Sequence, residues 1–379
     1  MSDPLPKTID AVVIGAGIIG ASMAYHLTEA GLGVLVIEKE QLPGTGSTAA
    51  AAGGIRAIFD NELDIRYALE TRAAMPTFEE RFGWKPEFRR HGYLYTARRE
   101  STLDEYRRDA DAGIKCGTGA RMLTPEEVPE IAPILDMSGI VGAMFGPEDG
   151  YCDPYGVMMG FLSAARKNGA RISYRTQVTG VKTEGGRVTG VATNRGEVSC
   201  ATVVNCAGPF ARKVAAMVDL DIPARPHRRY IFVTGPFPQV PKTNPLVLDQ
   251  DNLFYFKPES GTVIMSGMEE EPDEPDDTAV RWERSEGVAE KALRCASVFS
   301  EAGFARAWAG MRTLTPDRRA ILGPTPVDGF FLACGFSGHG ICQCVPAGRV
   351  VAEYITKGKS EDLPIEPYFL SRFEEPQEG

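Results

Sequence analysis

The chain has 379 residues, 43% of them hydrophobic and 24% charged, with a formal net charge of −10. That length suits two domains with sizeable cores, and the acidic balance argues against nucleic acid or an anionic membrane as a main partner, since both need a positive field. The eight cysteines are scattered apart from Cys342 and Cys344, a pattern of buried thiols in a reducing compartment rather than a disulfide framework, and no metal is expected.

The opening "MSDPLPKTID" lacks the basic, apolar and small-residue succession of a secretory leader. The longest apolar stretch, Ala11 to Tyr25, is short, rich in glycine and stops at His26, whereas a membrane span needs about 20 residues. A soluble, cytoplasmic protein with no transmembrane segment is expected. Inside that stretch "DAVVIG" reads as a buried strand, and Gly15, Gly17 and Gly20 follow it as G-x-G-x-x-G. "IIGASMAYHLTEAG" continues as a helix stopped by Gly31, and "GVLVIEKE" is a second buried strand ending at Glu38. Gly15 permits the tight turn, Gly17 lets a pyrophosphate approach the backbone, and Gly20 lets helix and strand pack closely. The helix start at Ile18 and Ile19 offers N–H groups to the anion. Glu38, with Lys39 beside it, stands where a carboxylate bonds ribose hydroxyls and repels a 2′-phosphate. A dinucleotide site follows. NADP is disfavoured, while FAD and NAD stay open at this point.

Beyond Glu38 no third strand of a nicotinamide-binding domain appears. "GTGSTAAAAGGIR", from Gly44 to Arg56, predicts a helix begun by Ser47 and Thr48. Its small residues, Ala52, Gly53 and Gly54 among them, would lie under a large flat cofactor, with the hydroxyls in reach of its phosphates. "RISYRTQVTGVKTEGGRVTGVATNRGEVSCATVVNCAG" reads as short strands with glycine turns, placing Val178 and then Ala207 and Gly208 near the cofactor. "RRYIFVTGPF", "NPLVLDQDNLFYFKPE" and "GTVIMSG" read as strands, and "DTAVRWERSEGVAEKALRCAS" as a helix. The acidic run from Glu269 to Asp277 reads as a solvated loop. "GFFLACGFSGHGICQCVPAGRVVAEYITKG" is strand, glycine loop and helix. A dinucleotide fold built from the start, middle and end of a chain is a flavoprotein habit, whereas NAD domains are usually contiguous.

In this order the motifs "GTGSTAAAAGGIR", "DGYCDPYGVMMGFLSAARKNGARI", "VVNCAGPFA", "FYFKP", "WAGMRTLTPDRRAILG" and "ACGFSGHGI" resemble the FAD-dependent amine and amino-acid oxidoreductases of the D-amino acid oxidase and sarcosine oxidase type. "WAGMR" and "DRRA" look most like the bacterial D-arginine-type dehydrogenases. The resemblance implies an α/β fold: a discontinuous Rossmann-like FAD domain at 1–80, 148–220 and 304–379, and a substrate domain on a large mixed β-sheet at 81–147 and 221–303.

It also implies a chemistry, hydride transfer from the carbon beside an amine, with the protein fixing angle and charge. Arg312 is the implied anchor for the substrate carboxylate, since a guanidinium offers two parallel N–H bonds. Arg56, Arg229 (or its neighbour Arg228) and the Tyr255 hydroxyl join it by the same resemblance. Gly338, His339, Gly340 and Ile341 at a helix start would face the flavin, the His339 imidazole turned towards the site. Three departures stand out. Cys342 occupies the place of a carboxylate-binding lysine. Gly310 replaces the cysteine that tethers flavin in sarcosine oxidase, so the FAD is expected to be non-covalent. The lysine linked there to oxygen falls near Met265, which leans towards a dehydrogenase. Three arginines exceed what one carboxylate needs, so a second anionic group on the substrate is expected. The expected partners are a small anionic substrate, oxygen or a quinone as electron acceptor, and another copy of the chain. A 2-hydroxy-acid dehydrogenase and a non-catalytic FAD-fold subunit are the alternative functions.

Overall fold

In the computed structural model, which describes residues 3–269 and 271–373, two large sheets organise the chain. The first has six strands in the order Ile321–Pro324, Phe330–Cys334, Thr202–Asn205, Ala11–Ile14, Val34–Ile37 and Arg171–Ser173. All neighbours are parallel except the first pair. "AVVI" and "VLVI" carry no polar residue because both of their faces are covered. Ala11 and Val13 pack towards the layer containing helices Ile18–Glu29, Pro154–Lys167 and Gly340–Lys357. Val12 and Ile14 pack towards a three-stranded sheet formed by Val178–Glu184, Arg187–Thr193 and Gly196–Ser199. The beginning, middle and end of the chain thus meet in one sheet, as the strand pattern implied.

The second sheet has nine strands. Its centre runs Arg225–Thr234, Thr262–Gly267, Phe254–Glu259, Leu246–Asp249, Tyr93–Ala97 and Gly142–Gly146. Alternate residues of a strand share a face, and the pairing sorts them cleanly. Leu94, Phe145, Phe232, Val247, Phe254, Phe256 and Met265 form the back, in a core shared with helix Arg284–Cys295. Tyr95 pairs Leu248, Leu248 pairs Tyr255, and Tyr255 pairs Ser266 along the other face. Arg229 opposite Gly310 and Ile231 opposite Trp308 continue that face.

Three expectations change. Strand Phe304–Leu314, assigned from sequence to the cofactor domain, pairs with Arg225–Thr234 from Arg225↔Leu314 to Thr234↔Phe304 and so belongs to the second sheet. The alanine-rich segment forms successive turns over 43–50 rather than a helix. Its groups are committed elsewhere: Thr48 Oγ1 accepts from Ile18 N at 3.1 Å, Ser47 Oγ donates to the Met311 carbonyl at 2.6 Å, and Trp308 Nε1 donates to the Ala50 carbonyl at 3.1 Å. These contacts override alanine's helix propensity. The acidic run, whose Glu270 lies outside the described residues, is no free loop. Glu271–Pro272 pairs with the Arg225–Thr234 strand, and Asp273 and Asp277 ion-pair the fully buried Arg228.

Candidate active site

A cavity of about 1380 Å³ opens between the C-terminal ends of the first sheet's parallel strands and the open face of the second. It exceeds the roughly 300–1,000 Å³ of a pocket for one drug-sized ligand. The glycine loop forms one end. Gly15 has φ +105°, and a Cβ there would stand 2.7 Å from the Cys206 carbonyl. Gly20 lies behind the wall, where a Cβ would stand 1.9 Å from the Gly15 carbonyl, so it serves helix–strand packing as expected. Glu38 Oε2 accepts from Ala16 N at 2.8 Å and Oε1 from Glu40 N at 2.9 Å. Those bonds fix the carboxylate at the strand end and leave each oxygen a second lone pair for a ribose hydroxyl. Lys39 lies 4.4 Å over the Phe210 ring.

Every other residue expected at the cofactor also lines this cavity: Gly17, Ile18, Ile19, Ser47, Thr48, Ala52, Gly53, Gly54, Val178, Ala207, Gly208, Gly310, Gly338, His339, Gly340 and Ile341. A dinucleotide fits this lining. The backbone is bare where a pyrophosphate must approach, and Gly310 faces Ala50, whose Cβ a side chain there would meet at 2.5 Å.

The charged residues gather at the second-sheet end. Arg312 rests on the backbone of Gly338, where a Cβ would stand 2.4 Å from its Cζ. Arg229 donates to the Met268 carbonyl at 2.7 Å. Strand alternation sends Arg229 to the cavity and the buried Arg228 to Asp273 and Asp277, so of the two only Arg229 lines the cavity. Arg56 donates to the Ile58 carbonyl and lies 4.4 Å over the Phe59 ring, which meets the His339 ring edge-on at 5.0 Å. Burial works against the Arg56 charge, but Tyr95, Cys342, Tyr93 and Asp149 outweigh it and hold the pKa above its ordinary value. Asp149 braces this segment, accepting from Ala57 N at 3.1 Å and from Arg72 at 2.7 Å. His339 is driven the other way. Burial, then Arg56, Arg312 and Arg318, push its pKa well below 6.5, so the imidazole is neutral at pH 7. Tyr255 is 9% exposed on the cavity wall.

Cys342 lies on the wall too, its thiol donating to the Gly54 carbonyl at 3.3 Å. Met265 does not. It sits on the back face, so the missing lysine there says nothing about the electron acceptor. Sequence reasoning missed Tyr93, Tyr95, Asp60 and Asp109, all on the wall. The alternation in "YLYTA" carried the signal for the two tyrosines, since residues two apart in a strand share a face.

Fold and cavity together define a flavoprotein oxidoreductase: a dinucleotide crevice roofed by a sheet that presents arginines. Residues 10–354 match the family described as FAD dependent oxidoreductase, and the chain belongs to it. FAD is therefore its cofactor. The chain is 30% identical over 390 residues to human mitochondrial sarcosine dehydrogenase, covering 98% of this chain and 42% of that protein. It spans less than half the length of that relative. Against the sarcosine oxidase subunit beta of Rhodobacter capsulatus it is 28% identical, covering 99% of this chain and 91% of the relative. The crystal structure of L-proline dehydrogenase from P. horikoshii superposes with a TM-score of 0.91 at 31% identity, over 98% of this chain and 99% of that one. No helix among the described residues is long and apolar enough to cross a membrane.

Proposed function

We propose that the protein oxidises the C–N bond of an amino acid, preferentially one with a substituted nitrogen, to an imine that water then hydrolyses. The carrying observation is that Arg56, Arg229, Arg312 and Tyr255 line the same cavity as the Gly338–Ile341 segment. Bound FAD supplies the two-electron acceptor that takes the hydride. The chain's own residues bind and orient. Arg312 clamps the carboxylate through parallel N–H bonds and Tyr255 adds a hydroxyl donor. Neutral His339, the one imidazole on the wall among the described residues, accepts a hydrogen bond from the N–H of the neutral amine and orients it, while the proton leaves to solvent, because the arginines around His339 disfavour its charged form. The names of the relatives support the nitrogen preference, since sarcosine and L-proline are both secondary amines beside a carboxylate. The likeness to D-arginine-type enzymes rests on "WAGMR" and "DRRA" and does not select an enantiomer. Gly310 in place of a tethering cysteine supports non-covalent FAD. The case for a second substrate anion weakens, because Arg56 and Arg229 already meet carbonyls of the chain.

An anaerobic screen of flavin bleaching tests this reading. N-methylglycine or L-proline should bleach the flavin faster than glycine or L-alanine. Bleaching by 2-hydroxy acids alone, or by none of these compounds, overturns it.

A further inference from the structure

The hairpin loop of residues 250–253, between strands Leu246–Asp249 and Phe254–Glu259, stands at the edge of the cavity and divides its side chains by role. Two of them are committed to the protein. The Asp251 carboxylate accepts from Arg98 N at 2.6 Å, Arg99 N at 3.0 Å and Thr102 Oγ1 at 2.7 Å, and the Asn252 amide donates to the Lys291 carbonyl at 2.8 Å. Gln250 and Leu253 line the cavity instead.

Leu253 is unusual in two independent ways. Its φ is +50°, in the left-handed region where a bulky residue is an outlier and glycine the usual occupant. Its side chain is 41% exposed. An apolar wall runs on from it: Met268, bonded to it through the backbone, packs with Leu248 against the cluster containing Tyr255, and all three line the cavity.

An exposed leucine alone is ordinary, and so is a left-handed residue closing a hairpin. Here the two coincide at the edge of the site and are held there. Asp251 and Asn252 fix the loop. Met268 N donates to the Leu253 carbonyl at 2.8 Å, and the Met268 carbonyl accepts from Arg229 at 2.7 Å, so one residue links Leu253 to a carboxylate anchor. Backbone strain that surrounding bonds over-determine collects at ligand clamps. An apolar side chain kept open to a cavity leaves water when a ligand covers it.

We propose that Leu253 is a specificity-determining residue, which packs over an apolar substituent of the substrate together with Leu248 and Met268 while the carboxylate reaches the arginines. This rests on the amino-acid oxidation reading above and names the side chain that selects the substrate.

The test separates binding from turnover. Calorimetry on the FAD-loaded protein compares 4-methylpentanoate with propanoate, neither of which has an amine to oxidise. The branched acid should bind about tenfold tighter, since its extra carbons leave water, and Leu253→Gly should shrink that preference to about threefold or less. Glycine also relieves the left-handed strain, so the variant should melt no lower than the wild type, whereas loss of a leucine that packs the fold would lower the melting temperature. Equal affinities in the wild type, an undiminished preference in Leu253→Gly, or a lower melting temperature of that variant overturns the proposal. A second arm compares kcat/KM of N-methylleucine and N-isobutylglycine with that of N-methylglycine. At least one of the larger amines should win through KM, and which one wins tells whether the substituent sits on the α-carbon or the nitrogen. Preference for N-methylglycine over both sinks this inference and leaves the reaction standing. If no amine bleaches the flavin the reaction reading fails, and the calorimetric arm still decides the role of Leu253.

Discussion

Arg312 lies against Gly338, where any side chain would collide with its guanidinium. Arg312→Lys keeps the charge and loses the fork. We expect kcat/KM to fall by about a hundredfold, the order of two lost charge-assisted hydrogen bonds, with steady-state kinetics on N-methylglycine as the check. The histidines give a prediction about stability. His26 is depressed to about 3, first by burial and then by Arg81 and Arg349, and His339 is also held well below 6.5. An unfolded histidine titrates near 6.5, so below that pH the unfolded chain binds protons that the folded chain refuses. The stability these groups contribute is complete above about pH 6.5 and is lost on acidification, by up to about 1.4 kcal/mol per pH unit for each. The melting temperature should fall between pH 6.5 and 5, and His26→Phe, which keeps an aromatic ring against Tyr25 and Phe161, should flatten that profile. An unchanged slope would remove His26 from the account.

The βαβ unit at the start of the chain was readable because its local demands are strict. An apolar strand, a glycine at each close approach and an acid at the next strand end leave little else to build. Gly20→Ala tests the strictest of these, since its Cβ would stand 1.9 Å from a backbone carbonyl. Purified Gly20→Ala should lose bound flavin and melt lower, and a yellow protein of unchanged melting temperature would contradict the packing argument. The alanine-rich segment failed as a helix prediction for the opposite reason. Its propensity is real, but hydrogen bonds to Ile18, Met311 and Trp308 from distant parts of the chain decide its shape, and local sequence cannot announce them. The acidic run misled in the same way, because its partner, Arg228, is buried on a strand more than forty positions earlier. Strand alternation, by contrast, was under-used. It separates Arg229 from Arg228, sends Met265 to the rear core and brings Tyr93 and Tyr95 forward.

At the scale of the molecule, the two sheets divide the work. The six-stranded sheet presents a dinucleotide crevice at its strand ends, and the nine-stranded sheet lays arginines and tyrosines over it. The turns at 43–50 join them through Ser47, Ala50 and Trp308, so cofactor and substrate walls are held in one register. The cofactor half was legible from glycine spacing. The substrate half was legible only as scattered arginines, because which face each residue takes depends on pairings between distant strands. Difference spectroscopy reads directly the proposed hold of these arginines on a carboxylate beside the flavin. Titrating the FAD-loaded protein with pyrrole-2-carboxylate should perturb the flavin bands saturably, with affinity at least about tenfold weaker in Arg312→Met. No perturbation in the wild type, or the same affinity in a folded Arg312→Met, would contradict it.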